Sequence, residues 1–209
     1  MKVIVFGATG SIGKLVTDEL LQQGHEVTAF ARNPQALGRS APDLQIWAGD
    51  AMDAQSVADA IKGHDAVVVT LGAGMNRKSK IRSQGTLNII RGMQSHGVQR
   101  LICQSTLGAH ESWENLNFFW KRIMFGALLR PVFHDHELQE SLVRASGLDW
   151  TIVRPSAFDD GPATGNFRED FDSSERKLTL KISRADIAAF LMRQVTEFKY
   201  LHRAVCISN

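Results

Sequence analysis

Residues 2–13 constrain this chain more than any other stretch. Val3, Ile4, Val5 and Phe6 form an unbroken run of β-branched and aromatic side chains. A run with no polar alternation fits a central parallel strand covered on both faces. Gly7, Gly10 and Gly13 follow, and the helical pattern Leu15, Val16, Leu20, Leu21 starts at once. Strand, glycine turn and helix in that order open a dinucleotide-binding unit. Gly7 allows the tight turn off the strand. Gly10 lets backbone N–H groups reach a pyrophosphate in the positive field of the helix N-terminus. Gly13 lets the helix pack close to the strand. Thr9, Ser11 and Ile12 lie between the glycines and join the same candidate cofactor site.

The rest of the chain alternates strands and helices. A helix over 11–23 stops at Gly24, and a strand over 26–31 ends at Arg32-Asn33-Pro34. An NAD-preferring site places Asp or Glu there to hold the ribose hydroxyls. A guanidinium instead matches a 2′-phosphate in charge and fork geometry. Arg32 is therefore the candidate reader of NADPH. A short strand over 44–48 leads to Gly49, Asp50 and Ala51. The Asp50 carboxylate either accepts from the adenine amino group or caps the turn or the helix over 54–61. Residues 66–69 read as a buried strand whose exit, Leu71 and Gly72, lets the cofactor lie against backbone.

Arg77, Lys78, Lys80 and Arg82 make the densest positive cluster, either solvated surface or a rim that attracts anions. A helix over 83–96 presents Leu87, Ile90 and Met93 on one face. A strand from Arg100 to Cys103 leads into Ser105 and Thr106, whose hydroxyls either face the nicotinamide or cap a turn. From Trp113 to Phe133 aromatic residues crowd together, as core packing, as a wall for a flat ring, or as both. Lys121, Arg122 and Arg130 interrupt that run, so it does not read as a membrane span. His134-Asp135-His136 lacks a third ligand at standard spacing, so no metal is expected. The pattern places a helix over 134–145 with Leu138, Leu142 and Val143 inward. His136 is either a titrating group of the site or a core or cap histidine. A strand over 150–153 exits through Pro155, Ser156 and Ala157, whose backbone is placed to hold the nicotinamide carboxamide. Residues 160–172 read as a surface loop, 178–182 as an alternating strand, 184–195 as a helix capped by Ser183, and 204–207 as the last strand.

Net charge is +2 over 209 residues, which gives no case for a general nucleic-acid or membrane binder. No heptad seam is present, so a monomer is expected. The first strand begins at the N-terminus, and a cytoplasmic location is the expectation. Cys103 and Cys206, the only cysteines, sit in apolar runs and read as buried thiols.

Gly7-Ala-Thr-Gly-Ser-Ile-Gly13, Gly49-Asp50, Leu71-Gly72, the strand ending in Ser105 and Ser146-Gly-Leu-Asp-Trp-Thr-Ile-Val-Arg-Pro155 together carry a resemblance. The chain resembles the atypical short-chain dehydrogenases with an NAD(P)-binding NmrA-like fold, over nearly its whole length. Within that group it is most similar to the biliverdin reductase B type, the NADPH-dependent flavin reductases. The resemblance implies one α/β, Rossmann-type domain over 1–209, a doubly wound and mostly parallel sheet of seven or eight strands. Substrate-side elements are expected at about 105–135 and 155–182. It also implies that Ser105 lies beside nicotinamide and substrate and that Arg32 binds the 2′-phosphate.

Two departures bear on chemistry. Typical short-chain dehydrogenases protonate a carbonyl with Tyr and Lys four residues apart; the matching positions here are Val132 and His136. The flavin reductases carry a His just after the proline that ends the sixth strand; this chain has Ser156. The resulting expectation is an NADPH-dependent reductase of a flavin or a bilin, with Ser105 and His136 as catalytic candidates. A redox-sensing NADP(H)-binding regulator is the alternative. A ketone- or sugar-nucleotide-acting enzyme is disfavoured by the missing Tyr–Lys pair.

Overall fold

In the computed structural model, which describes residues 1–209, β1 (Lys2–Phe6) occupies the middle of an eight-stranded sheet. Its Val3, Ile4, Val5 and Phe6 are wholly buried, as an apolar run without alternation requires. The chain continues through α1 (Ser11–Gln22), β2 (Glu26–Ala31), β3 (Leu44–Ala48), α2 (Ala54–Ile61), β4 (Ala66–Val69), α3 (Ile81–His96) and β5 (Arg100–Gln104). A 3-10 turn (His110–Asn115) and a π-helical segment (Phe119–Leu128) precede α4 (Arg130–Arg144) and β6 (Asp149–Pro155). Then come β7 (Ala157–Asp159), β8 (Arg168–Glu169), β9 (Lys181–Ser183), α5 (Arg184–Thr196) and β10 (Arg203–Ser208).

The sheet order is β3-β2-β1-β4-β5-β6-β10-β8, parallel throughout except for β8, which pairs antiparallel with β10. The order reverses between β1 and β4, so a crevice opens there at the carboxyl ends of the strands. One face is covered by α1 and α5, whose core joins Val16, Leu20, Ile187 and Leu191 to the sheet. The other is covered by α2, α3 and α4, around Ile61, Ile89, Met93 and Val143. A third cluster, including Leu107, Leu116, Phe125, Phe133 and Leu180, binds the π-helical segment to the strand exits. No helix is long and apolar enough to cross a membrane. Cys103 and Cys206 are free and buried, and burial pushes both thiols up, Cys206 to about 11.

Several sequence expectations are corrected. The helix expected over 134–145 begins at Arg130, because Pro131 falls in the first turn, where a missing N–H costs nothing. Leu138 on that helix faces solvent, while Val143 is buried. Leu87 on α3 is only half-buried. The buried face of α3 carries Ser83, Thr86 and Asn88 because it packs against polar residues of α4. Residues 178–182 are not one strand: Leu180 has φ +57°, which breaks the extended run before β9. The loop expected over 160–172 contains β8, which supplies an edge to the main sheet. Asp53, not Asp50, caps α2, accepting from the Gln55 and Ser56 N–H groups at 3.0 and 3.3 Å. Pro155 closes β6 as a buried strand residue, and its carbonyl accepts from the Leu107 N–H at 2.8 Å.

Candidate active site

The glycine turn builds one end of the site. Gly7 has φ +86°, and a side chain there would meet the Thr70 carbonyl 2.6 Å away. A Cβ at Gly13 would strike the Gly7 carbonyl, so α1 can approach β1 only with glycine at both positions. Gly10 stands at the N-cap of α1 and offers no side-chain cap, and the first turn of α1 holds no acidic residue. The free N–H groups and the positive helix end therefore remain open to an anion. The Thr70 hydroxyl donates to the Phe6 carbonyl at 3.1 Å and ties the end of β4 to the end of β1.

From this turn a cleft of ≈ 600 Å³ runs along the strand ends. Gly7, Thr9, Gly10, Ser11 and Ile12 form its floor; Arg32, Asp50 and Ala51 line one end; Leu71 and Gly72 follow. Ser105, Pro155, Ser156 and Ala157 line the middle, and His136 the far wall. Gly13 is the one sequence-derived candidate outside the cleft, since its role is packing. Asp50 accepts from the Met52 N–H at 3.0 Å, which caps a turn and leaves its carboxylate on the cleft. Asn88 of α3 donates to the Ala51 carbonyl at 2.9 Å and fixes that turn. The residues fit a dinucleotide on a second count: the Ser105 and Ser156 hydroxyls are buried, line the cleft and have no partner in the protein. Buried hydroxyls without partners are costly unless a ligand satisfies them.

Beyond Ser105 the cleft turns apolar. Trp120 and Phe125 of the π-helical segment, with Leu129 and Val132, form its wall. Phe125 stacks on Phe133 at 4.7 Å, so the aromatic run serves both packing and the pocket. π-Helical turns recur at functional sites. Here a Cβ at Gly126 would meet the Lys121 carbonyl 2.7 Å away, so glycine suits that position in the widened turn.

His136 lies on the cleft with Nδ1 unpartnered. Burial, and then the Arg82 guanidinium, push its pKa down to about 3. It is a neutral imidazole near pH 7 and not a group that titrates there. Val132 and His136, the positions matched in sequence to the Tyr and Lys of short-chain dehydrogenases, both line the cleft with Ser105. Tyr200, the one tyrosine of the chain, is buried in the α1–α5 core away from the cleft.

Sequence reading missed two features. Of the basic cluster, Arg82 alone turns into the cleft, while Arg77, Lys78 and Lys80 stay exposed. The second is a buried ion cluster behind the site. Arg154 on β6 donates to Glu140 of α4 through Nε at 2.9 Å and Nη2 at 2.6 Å, and to Glu111 through Nη1 at 2.9 Å. Burial works against the Glu111 carboxylate, but hydrogen bonds and charge from Arg154 prevail and hold its pKa at about 2. Their charges likewise raise Arg154 despite its burial. The cluster joins the strand ending at Pro155, the helix carrying His136 and the turn following Ser105. The only signal in the sequence was an arginine inside an otherwise apolar strand.

A family model described as NAD(P)H-binding matches residues 7–198. The chain belongs to this NAD(P)H-binding family. Its relatives include a Bacillus subtilis protein described as the uncharacterised sugar epimerase YhfK, 28% identical, with 98% of this chain and 92% of that one covered. Among solved structures, ChuY, an anaerobilin reductase of Escherichia coli O157:H7, superposes with a TM-score of 0.82 at 25% identity, over 99% of this chain and 96% of that one. A short-chain dehydrogenase/reductase of Veillonella parvula in complex with NADP gives a TM-score of 0.83 at 15% identity, over 100% and 94%. The doubly wound fold is thus that of NAD(P)-binding oxidoreductases, and the cleft along Gly7–Ile12 is the candidate cofactor site.

Proposed function

We propose that this protein is an NADPH-dependent reductase of a planar conjugated acceptor, a flavin or a bilin. The observation that carries the reading is the apolar, partly aromatic wall of Trp120, Phe125, Leu129 and Val132 in the cleft that holds Ser105, with an alkyl Val132 where a tyrosine acid would be expected. A carbonyl reduced by hydride needs such an acid within hydrogen-bond reach. A conjugated ring system spreads the charge, and solvent supplies the proton. The relative described as an anaerobilin reductase favours an acceptor of the bilin type. The relative described as a sugar epimerase favours a different chemistry, which Val132 at the tyrosine position disfavours.

Bound NADPH supplies the hydride. The chain's own residues do the rest. The open α1 N-terminus would hold the pyrophosphate, and Arg32 at the end of β2 would pair with the 2′-phosphate. The Ser156 and Ala157 N–H groups already donate to the Ile207 and Leu180 carbonyls at 3.0 and 3.1 Å, so the unpartnered Ser156 hydroxyl is the group that would hold the carboxamide and orient the ring. The unpartnered Ser105 hydroxyl would donate a hydrogen bond to the bound ligand. Trp120, Phe125, Leu129 and Val132 press the acceptor flat and exclude water, and that positioning is the main catalytic contribution asked of the protein. An apolar pocket in the same cleft as Ser105 favours turnover over cofactor sensing alone.

The test is to mix the protein with NADPH and a panel of flavins, biliverdin, quinones and simple ketones, following the nicotinamide absorbance. Oxidation of NADPH with flavin or bilin, and little with ketones, is expected. A protein that binds NADPH and reduces none of the conjugated acceptors would be a sensor instead.

A further inference from the structure

Three guanidiniums are drawn into this protein away from solvent, and one of them is left without partners. Arg154 is saturated by Glu140 and Glu111. Arg100 donates to the Gln194, Asp149 and Glu197 carbonyls and to the Thr151 hydroxyl. Arg82 has a side chain only 13% exposed, yet its Nε and Nη1 are buried with no hydrogen bond. Its nearest carboxylate, Asp135, is 3.9 Å away. Asp135 is already engaged: it accepts from the Arg82 and Ser83 N–H groups at 3.1 Å each, and from the Ser83 hydroxyl. It caps α3 and reaches the guanidinium only as a charge, without a hydrogen bond.

In the ligand-free chain the Asp135 charge 3.9 Å away offsets only part of the cost of holding a cation at Arg82. Burial lowers its pKa. It is the second residue of α3, where the positive end of the helix repels it. His136 beside it is neutral and offers no charge. A buried charge persists in such a place when something else compensates it. Arg82 lines the cleft on the α3–α4 side, with His136 and Val132, and the open N–H groups that suit the pyrophosphate lie at α1.

We propose that Arg82 is the anion-binding group of the acceptor subsite, and that it recognises a carboxylate or phosphate carried on an arm of the flat acceptor. The claim rests on the reductase reading for the identity of the ring, and it adds that the acceptor is acidic. A fork of N–H donors in a water-poor wall suits bidentate capture of either anion. The phosphate of a flavin mononucleotide and the propionate of a bilin present the same chemistry, and paired ligands separate them.

The experiment measures equilibrium binding in the presence of NADP+, so that no turnover is required. Flavin mononucleotide is compared with riboflavin by fluorescence quenching. Biliverdin is compared with its dimethyl ester, and 2-naphthoate with 2-naphthamide, by absorbance and competition. Wild type should prefer at least one acid over its neutral partner by about 10- to 100-fold, the range for a charge-assisted hydrogen bond. Arg82→Met should abolish that preference, leave the neutral partner within about threefold, and leave NADPH binding unchanged. Arg82→Lys should restore part of it. Preference for the flavin phosphate alone, or for the propionate alone, names the source.

Neutral partners that bind as well as acids in wild type overturn the role of Arg82 and leave the reductase reading standing. Loss of NADPH affinity in Arg82→Met, with acceptor binding intact, reassigns the residue to the cofactor. A wild type that binds no anionic ligand of any pair overturns the proposal outright. If NADPH is then oxidised by neutral quinones alone, only the acidic acceptor is lost.

Discussion

Val132 and His136 stand one helical turn apart on α4 and both face the cleft that contains Ser105. A helix places residues four apart on one face, which is the spacing of a Tyr–Lys acid–base pair. Here the pair is a branched alkyl group and an imidazole held neutral by burial and by Arg82. Neither side chain of the pair changes charge near neutral pH.

The rate of flavin reduction should therefore be nearly flat with pH. With the His136 pKa at about 3, no group of the α4 pair changes charge between pH 5.5 and 8.5. Wild type and His136→Asn should give parallel kcat profiles, each varying by less than about threefold. A step near pH 6–7 that disappears in His136→Asn would restore the histidine as the titrating acid or base, at an effect of about 100-fold or more.

Arg32 lines the cleft beside Asp50, at the end of β2. No carboxylate replaces it there to hold ribose hydroxyls. The wild type should bind NADPH more tightly than NADH, and Arg32→Ala should erase most of the difference, roughly 1.5–3 kcal/mol for a charge-assisted pair. Titrating both cofactors into both proteins decides it; equal affinities in the wild type refute the assignment.

The parts of this protein that were legible in the sequence obey local rules. β1 and β4 are short apolar runs, Gly24 and Gly97 sit at left-handed helix ends, and Ser183 caps α5 through its own side chain. The glycine turn belongs here too, because strand, turn and helix are consecutive. What was not legible depends on contacts distant in sequence. Asp135 looked like part of a histidine motif, but it caps a helix more than fifty residues upstream, with Ser83 as partner. Arg82 lay in a cluster of like charges, and nothing local distinguishes the one that turns inward. The broken run at Leu180 follows from its pairing beside β7, and no periodicity announces it.

The buried cluster behind the site offers a stability test. Arg154 and Glu140 are almost wholly inaccessible and share two hydrogen bonds. Removing one partner leaves a buried charge, which costs about 3–5 kcal/mol. Glu140→Leu and Arg154→Met should each lower Tm by about 6–20 °C, since each kcal/mol is worth about 2–4 °C at this size. The double variant should lose less than the two single losses added together. Calorimetry on the four proteins completes the cycle; additive losses would mean that the pair does not act as a unit.

Acid should unfold the protein in two overlapping stages. The His136 pKa falls from 6.5 in the unfolded chain to about 3 in the folded one. The unfolded state thus binds more protons below pH 6.5, and stability declines from there until pH passes about 3. Glu111 falls from 4.5 to about 2, so its contribution is complete above pH 4.5 and is lost as pH approaches 2. Urea midpoints against pH should slope downward from about pH 6.5 in wild type. In His136→Phe the slope between pH 6.5 and 4.5 should be visibly shallower. An unchanged slope would mean that the imidazole is as free to protonate in the fold as in water.

Ser105 separates a structural from a functional serine by the sign of its stability effect. Its side chain is 1% exposed, its hydroxyl has no partner, and it lines the cleft. The backbone is held independently of that hydroxyl, because the Ser105 N–H donates to the Val153 carbonyl at 2.7 Å. Ser105→Ala should therefore leave the turn in place. Removing a buried hydroxyl that bonds to nothing relieves a desolvation penalty, so the ligand-free variant should be as stable as wild type or slightly more so. Its kcat should nevertheless fall by about 10- to 100-fold, the lower part of the range for a lost donor at a developing charge. NADPH affinity should stay within about threefold, because the phosphates and Arg32 carry most of it. A drop in Tm with unchanged kcat would show instead that the hydroxyl serves the fold, and it would remove Ser105 from the chemistry.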